Sequence, residues 1–187
     1  MLNLTSNKVV VLGVIFLLML MTRGSHFLTE LNLPDMSLIL FLILGFFIPS
    51  LTLFFALFFV GALIDFGSAV FDASKGFCLT DGYWGLIPTY AILFYSGYLL
   101  KRKNLYQHLN FYVPVLLVSI TLAFIVSTNT YYIFSGRFGN PSFFESIMHG
   151  WNYYPEYLLT NMMYGLIFFF VLKLKKFSHF ISIFKSN

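Results

Sequence analysis

Six apolar runs dominate this chain, at residues 9–21, 36–48, 51–66, 83–100, 111–127 and 157–172, with charge almost confined to their ends and the intervals between them. A water-soluble helix or strand alternates apolar and polar residues with its own period, whereas unbroken runs of this kind suit a solvent that is itself apolar. Composition agrees: 59% of residues are hydrophobic and 10% are charged, and the mean hydropathy is +0.83. In a bilayer every backbone N–H and C=O has to be satisfied within the protein, which for apolar runs of this length means helices. The expected class is therefore all-α, a polytopic integral membrane protein. Several runs fall short of the roughly 20 residues that cross a hydrocarbon core. The second and third are separated only by Ile48-Pro49-Ser50, so a single kinked helix is the alternative there.

Charge distribution favours separate helices. Short cytoplasmic loops are enriched in Lys and Arg. Six spans with the N-terminus inside place Lys8, Lys101, Arg102, Lys103, Lys173, Lys175, Lys176 and Lys185 in the cytoplasm, and leave Arg23, Lys75 and Arg137 outside. The acids Glu30, Asp35, Asp65, Asp72, Asp81, Glu145 and Glu156 then all fall at or near the outer face. Merging the second and third runs sends residues 101–103 to the side opposite Lys8 and destroys this sorting. The sequence thus predicts a six-transmembrane-helix bundle with both termini cytoplasmic, in the inner (cytoplasmic) membrane of the cell.

The net charge of +4 flanks the apolar segments rather than forming a basic face, so no nucleic-acid partner is expected. Residues 21–24, Met-Thr-Arg-Gly, do not form a small-residue cleavage site, and the first helix is expected to be retained. No repeat, linker or composition shift divides residues 1–187, which are expected to form one helical domain. No Walker-type glycine loop is present in the sequence, so an energy source is expected to come from a partner or a gradient. The tail 177–187 carries Lys185 among apolar residues, fitting either an inner-surface segment or a frayed end.

The outer side holds the chemistry. Three outer loops are expected to meet over one end of the bundle: one with Arg23 and His26, one with Asp65 and Cys78, and a long one, 128–156, with Arg137, His149 and many aromatics. A loop of that length carries function or its own helix, here expected over 141–149 at the interface. Tyr and Trp in such loops ordinarily form an interfacial belt, His26 alone suits an interfacial hydrogen bond, and an acid such as Asp65 at a helix end reaches toward headgroups or marks a site. Cys78 is the only cysteine. A lone thiol acts as an apolar filler, a nucleophile or a metal ligand, and its company of Thr80, Asp81, Gly82 and Tyr83 is not that of a filler.

These residues bring a family into view. Arg23-Gly24-Ser25-His26-Phe27, Asp65, and Cys78-Leu79-Thr80-Asp81-Gly82-Tyr83-Trp84-Gly85-Leu86-Ile87-Pro88-Thr89-Tyr90-Ala91 resemble the BtuM family of cobalamin-specific S-components of energy-coupling factor (ECF) transporters, over residues 22–97. The resemblance implies an S-component-like fold that takes up cobalamin, vitamin B12, from an outward-facing pocket. It implies Cys78 as axial ligand to the corrin cobalt and His26, Asp65 and Tyr83 among the pocket residues. Arg137 is added here as a substrate-binding candidate, since Arg137 or Arg23 is expected to help the thiol lose its proton. Thiolate is a strong ligand for transition metals, and ligation is expected to loosen the opposite axial ligand. The protein has no cofactor of its own in this view; cobalamin is its cargo. Its implied partners are the ECF transmembrane coupling subunit and ATPases, which in the family drive toppling of the S-component in the bilayer. A rival from another class is an exosortase-like cysteine transpeptidase or protease with Cys78 as nucleophile, His26 or His149 as base and Arg137 at an oxyanion. A structural protein with Cys78 as filler is the third.

Overall fold

The structure is a computed structural model of the chain, and it describes residues 6–23, 33–71, 76, 79–139 and 141–174. Among these, all regular secondary structure is helical. The α-helices are α1 (Ser6–Arg23), α2 (Ser37–Phe47), α3 (Leu51–Phe71), α4 (Leu86–Arg102), α5 (Leu109–Phe134), α6 (Phe143–Gly150) and α7 (Tyr154–Lys173). Short 3₁₀ turns at Asp81–Gly85, Leu105–Gln107 and Trp151–Tyr153 join some of them. Each apolar run seen in the sequence falls on one of the longer helices.

Three segments are long and apolar enough to cross a membrane by length and composition: Leu51–Phe71, Leu109–Phe134 and the run Phe143–Lys173. Their outward faces are greasy at helical spacing, as with Phe55, Phe59, Leu63, Phe66 and Val70 on α3 and Leu159, Met163, Ile167 and Phe170 on α7. Such stripes are costly in water and at home in lipid.

Helix α2 is different. Every residue but Ile43 is buried, so its hydrophobicity reflects a place at the centre of the bundle. At about 1.5 Å rise per residue, its 11 residues are shorter than a hydrocarbon core. It ends at Phe47; Ile48 has left the helical region (φ −138°, ψ 78°), as a residue before proline tends to, and α3 starts afresh after Pro49. The kinked-helix alternative therefore does not describe this region.

Close packing fixes the relative directions. A Cβ on Gly45 would collide with the Phe94 carbonyl, and one on Gly97 with the Leu42 carbonyl, so glycine is what lets α2 and α4 touch backbone to backbone. Ser37 and Tyr90, near the two helix starts, bond the same guanidinium, and Lys101 near the end of α4 lies 6.0 Å from the Phe46 ring. The two helices therefore run parallel. Helix α5 returns against α4, pairing Ser96 with Ser119 at 2.7 Å and Gly85 with Thr130. Helix α7 descends along α5, with the Tyr112 hydroxyl donating to the Gly165 carbonyl at 2.8 Å and Thr121 bonded to Tyr154 at 2.8 Å.

One end of the bundle thus gathers Arg23, the start of α2, the Asp81–Gly85 turn, the end of α5, α6 and the start of α7. Asp35, Asp65, Asp81, Glu145 and Glu156 lie toward this end; Lys8, Lys101, Arg102, Lys103 and Lys173 lie toward the other. The stretch expected as a long loop, 128–156, is largely helical: α5 continues to Phe134, and α6 covers most of 141–149, where a helix was expected. Ser142 caps α6 through a reciprocal pair of bonds with Glu145, a sequence signal of the Ser-x-x-Glu kind.

Candidate functional site

At the acidic end, four helices and a turn converge on Arg23. Its side chain is 8% exposed, and burying a guanidinium requires that its donors be met. Nε donates to Asp65 Oδ1 at 2.8 Å and Nη2 to Asp65 Oδ2 at 2.6 Å, the two-pronged geometry in which Arg binds carboxylate best. Nη1 donates to Ser37 Oγ at 2.9 Å and to the Tyr90 hydroxyl at 2.5 Å. Asp35 adds a longer contact, 3.9 Å from Nη1, while its Oδ1 accepts from the backbone N–H and hydroxyl of Ser37. Tyr83 donates to Asp65 Oδ2 at 2.9 Å. The result joins α1, α2, α3, α4 and the Asp81–Gly85 turn in one polar knot.

Beyond Tyr83 opens a cavity of about 490 Å³, within the size range of small-molecule pockets. It is lined by Gly82 and Tyr83 of the turn, by Leu86 at the start of α4, by Phe124, Thr128, Tyr131, Tyr132 and Phe138, and by Tyr153 and Tyr157. Tyr132 packs on Phe138 with ring centres 4.5 Å apart and on the His149 ring at 5.6 Å. Three glycines set the wall spacing. Added Cβ atoms on Gly82 and Gly85 would strike Thr130, and one on Gly150 would strike Thr128. The turn itself is opened by Thr80, whose Oγ1 accepts from the Gly82 N–H at 3.3 Å.

The candidates from the sequence divide as follows. Asp65 and Tyr83 are brought together by a hydrogen bond, and Tyr83 lines the cavity. Asp65 faces Arg23 as its main partner. Arg137 stands exposed on the bend after α5, beside the cavity residue Phe138. His26 and Cys78, together with the tail 177–187, lie outside the described residues; in the chain, Cys78 precedes Leu79 and stands four residues before Gly82. Sequence reasoning missed the central position of Arg23, Tyr90 and Ser37. The signal was a lone arginine at the end of an apolar run, a charge that has to find a buried carboxylate. No group of three or more His, Cys, Asp and Glu side chains among the described residues forms a cation site. No protein-family model matches the chain, and no curated protein sequence matches it with significance.

Proposed function

We propose that this protein is a membrane subunit that binds cobalamin from outside the cell and delivers it inward, with Cys78 thiolate on the corrin cobalt. One observation carries this: the segment that resembles the BtuM family, Cys78 to Tyr83, supplies a wall of the aromatic cavity through Gly82 and Tyr83. Aromatic faces and few charges suit the broad, largely apolar plane of a corrin. The separation of acids and lysines to opposite ends supports an orientation with the cavity outside and both termini cytoplasmic, in six spans of the inner membrane. In this view α2 counts as a span only through its place in the core, and an ECF-type module in other chains supplies the energy.

The visible absorption spectrum of protein incubated with cobalamin and desalted is the test, run beside Cys78→Ala. Wild type is expected to retain the corrinoid with a shifted spectrum, and the variant to lose the shift. Retention of no corrinoid by either protein overturns the proposal.

A cysteine transpeptidase or protease is the second reading. It draws on His149, whose ring stacks on the cavity residue Tyr132 and would act as base for Cys78. Peptide cleavage lost in both Cys78→Ala and His149→Ala would support it.

A further inference from the structure

A second cavity of about 340 Å³ opens beside the first, and the two share Tyr153 and Tyr157. Its polar lining is rich in oxygen acceptors: Asp35, Glu156, Thr160 and Asn161 contribute to it beside the hydroxyl-bearing Tyr153 and Tyr157, and no Lys or Arg does so among the described residues. Asn161 is 3% exposed. Its Nδ2 donates to the Tyr157 carbonyl at 2.8 Å, which fixes the amide's orientation, because a carbonyl can only accept. Its Oδ1 is then a buried acceptor with no partner among the described residues. Leaving such an atom without a donor is unfavourable. Asp35 is partly occupied, bonded to Ser37 and near Arg23; Glu156 sits exposed in the first turn of α7.

We propose that this smaller cavity is a subsite for an N–H donor group, a primary carboxamide or an ammonium, bound against Asn161 Oδ1 with Glu156 and Asp35 at its mouth. Resting on the function proposed above, the donor belongs to the periphery of the corrinoid whose ring occupies the larger cavity, reaching past Tyr153 and Tyr157. The subsite then selects amide over acid: a carboxylate in the same place brings no donor to Asn161 and meets two like charges.

Full-length protein in detergent is titrated with cobalamin and with a corrinoid whose peripheral propionamides have been hydrolysed to carboxylates. Wild type is expected to bind the amide form about tenfold more tightly, the scale set by one unsatisfied buried acceptor. Asn161→Leu is expected to narrow that gap to about threefold or less while keeping the Cys78-dependent spectral shift. Glu156→Lys, an exposed change that leaves the buried wall intact, is expected to narrow it as well by favouring the carboxylate. Equal binding of the two corrinoids by wild type overturns the subsite, as does a gap that persists in both variants. If no corrinoid of either kind binds, the cobalamin function fails, and n-propylammonium and propionamide become the probes. A rise in melting temperature with either, lost in Asn161→Leu, keeps the subsite for a free small donor; no rise ends it.

Discussion

Two polar clusters lie side by side at the acidic end of the bundle, each around one buried residue, and they are built on opposite balances. Around Arg23, the guanidinium meets both oxygens of Asp65, Ser37 and Tyr90, and Tyr83 completes Asp65. Around Asn161, no Lys or Arg lines the cavity among the described residues, and the amide oxygen and the Tyr157 hydroxyl have no partner among them. The central residue is buried in each, Arg23 at 8% exposed and Asn161 at 3%, so burial of that residue does not separate them. Stoichiometry does. A matched cluster holds helices in register, whereas an acceptor left open holds a place for something that donates.

The sharpest way to break this contrast is to unbalance the closed cluster. Arg23→Met leaves Asp65 and Tyr83 without their cation and is expected to cost about 3 kcal/mol or more, as removal of one partner of a buried ion pair does. Thermal unfolding in detergent reads it. Arg23→Met combined with Asp65→Leu is expected to recover at least half of that loss; a double variant as unstable as the single would mean that packing, and not charge balance, holds the joint.

A smaller effect is expected where the turn meets α5. Gly85→Val forces a side chain into Thr130 and is expected to cost about 1–3 kcal/mol, with corrinoid affinity falling alongside the melting temperature because the same contact spaces the cavity walls. Unchanged affinity would detach the turn from the site. Tyr83→Phe keeps the ring in the cavity and removes one bond to Asp65, so a loss near 1 kcal/mol in stability is expected with corrinoid binding largely kept. A collapse of binding on loss of that hydroxyl would make the knot part of the ligand site. Last, Glu156→Gln is expected to change stability by less than about 0.5 kcal/mol, as exposed substitutions do, measured by the same unfolding assay. A large loss would place Glu156 in the closed cluster's company.

Much of the fold was legible before any coordinates. The apolar runs mark most helix ends to within a few residues, though α3 runs on to Phe71 and α5 to Phe134, and the helix expected over 141–149 is α6. What hydropathy did not separate is the second run from the third. Both read as spans, yet α2 is buried on nearly every side while Phe55, Phe59, Leu63 and Phe66 of α3 face outward. A helix inside a bundle and a helix against lipid meet the same apolar surroundings, so their compositions converge. The site was legible in part for the same kind of reason. Asp65 stood out as an acid at a helix end and Tyr83 through the resemblance around Cys78, but nothing in the sequence singled out Asn161.

The sequence by itself determined the all-helical, bilayer-suited class, the break near Pro49, a helix within 141–149, and the uneven distribution of charge, because each follows from local composition and from what an apolar solvent tolerates. Only the tertiary structure decided that Arg23 pairs with Asp65, 42 residues away, that Gly82 and Gly85 press the turn onto Thr130, and that Asn161 keeps an open acceptor beside the cavity. Those facts depend on which helices lie next to one another, and the hydrophobic force that gathers apolar segments is non-directional. Close contacts between small residues and the pairing of buried charges choose the neighbours, and these appear only once the chain has folded.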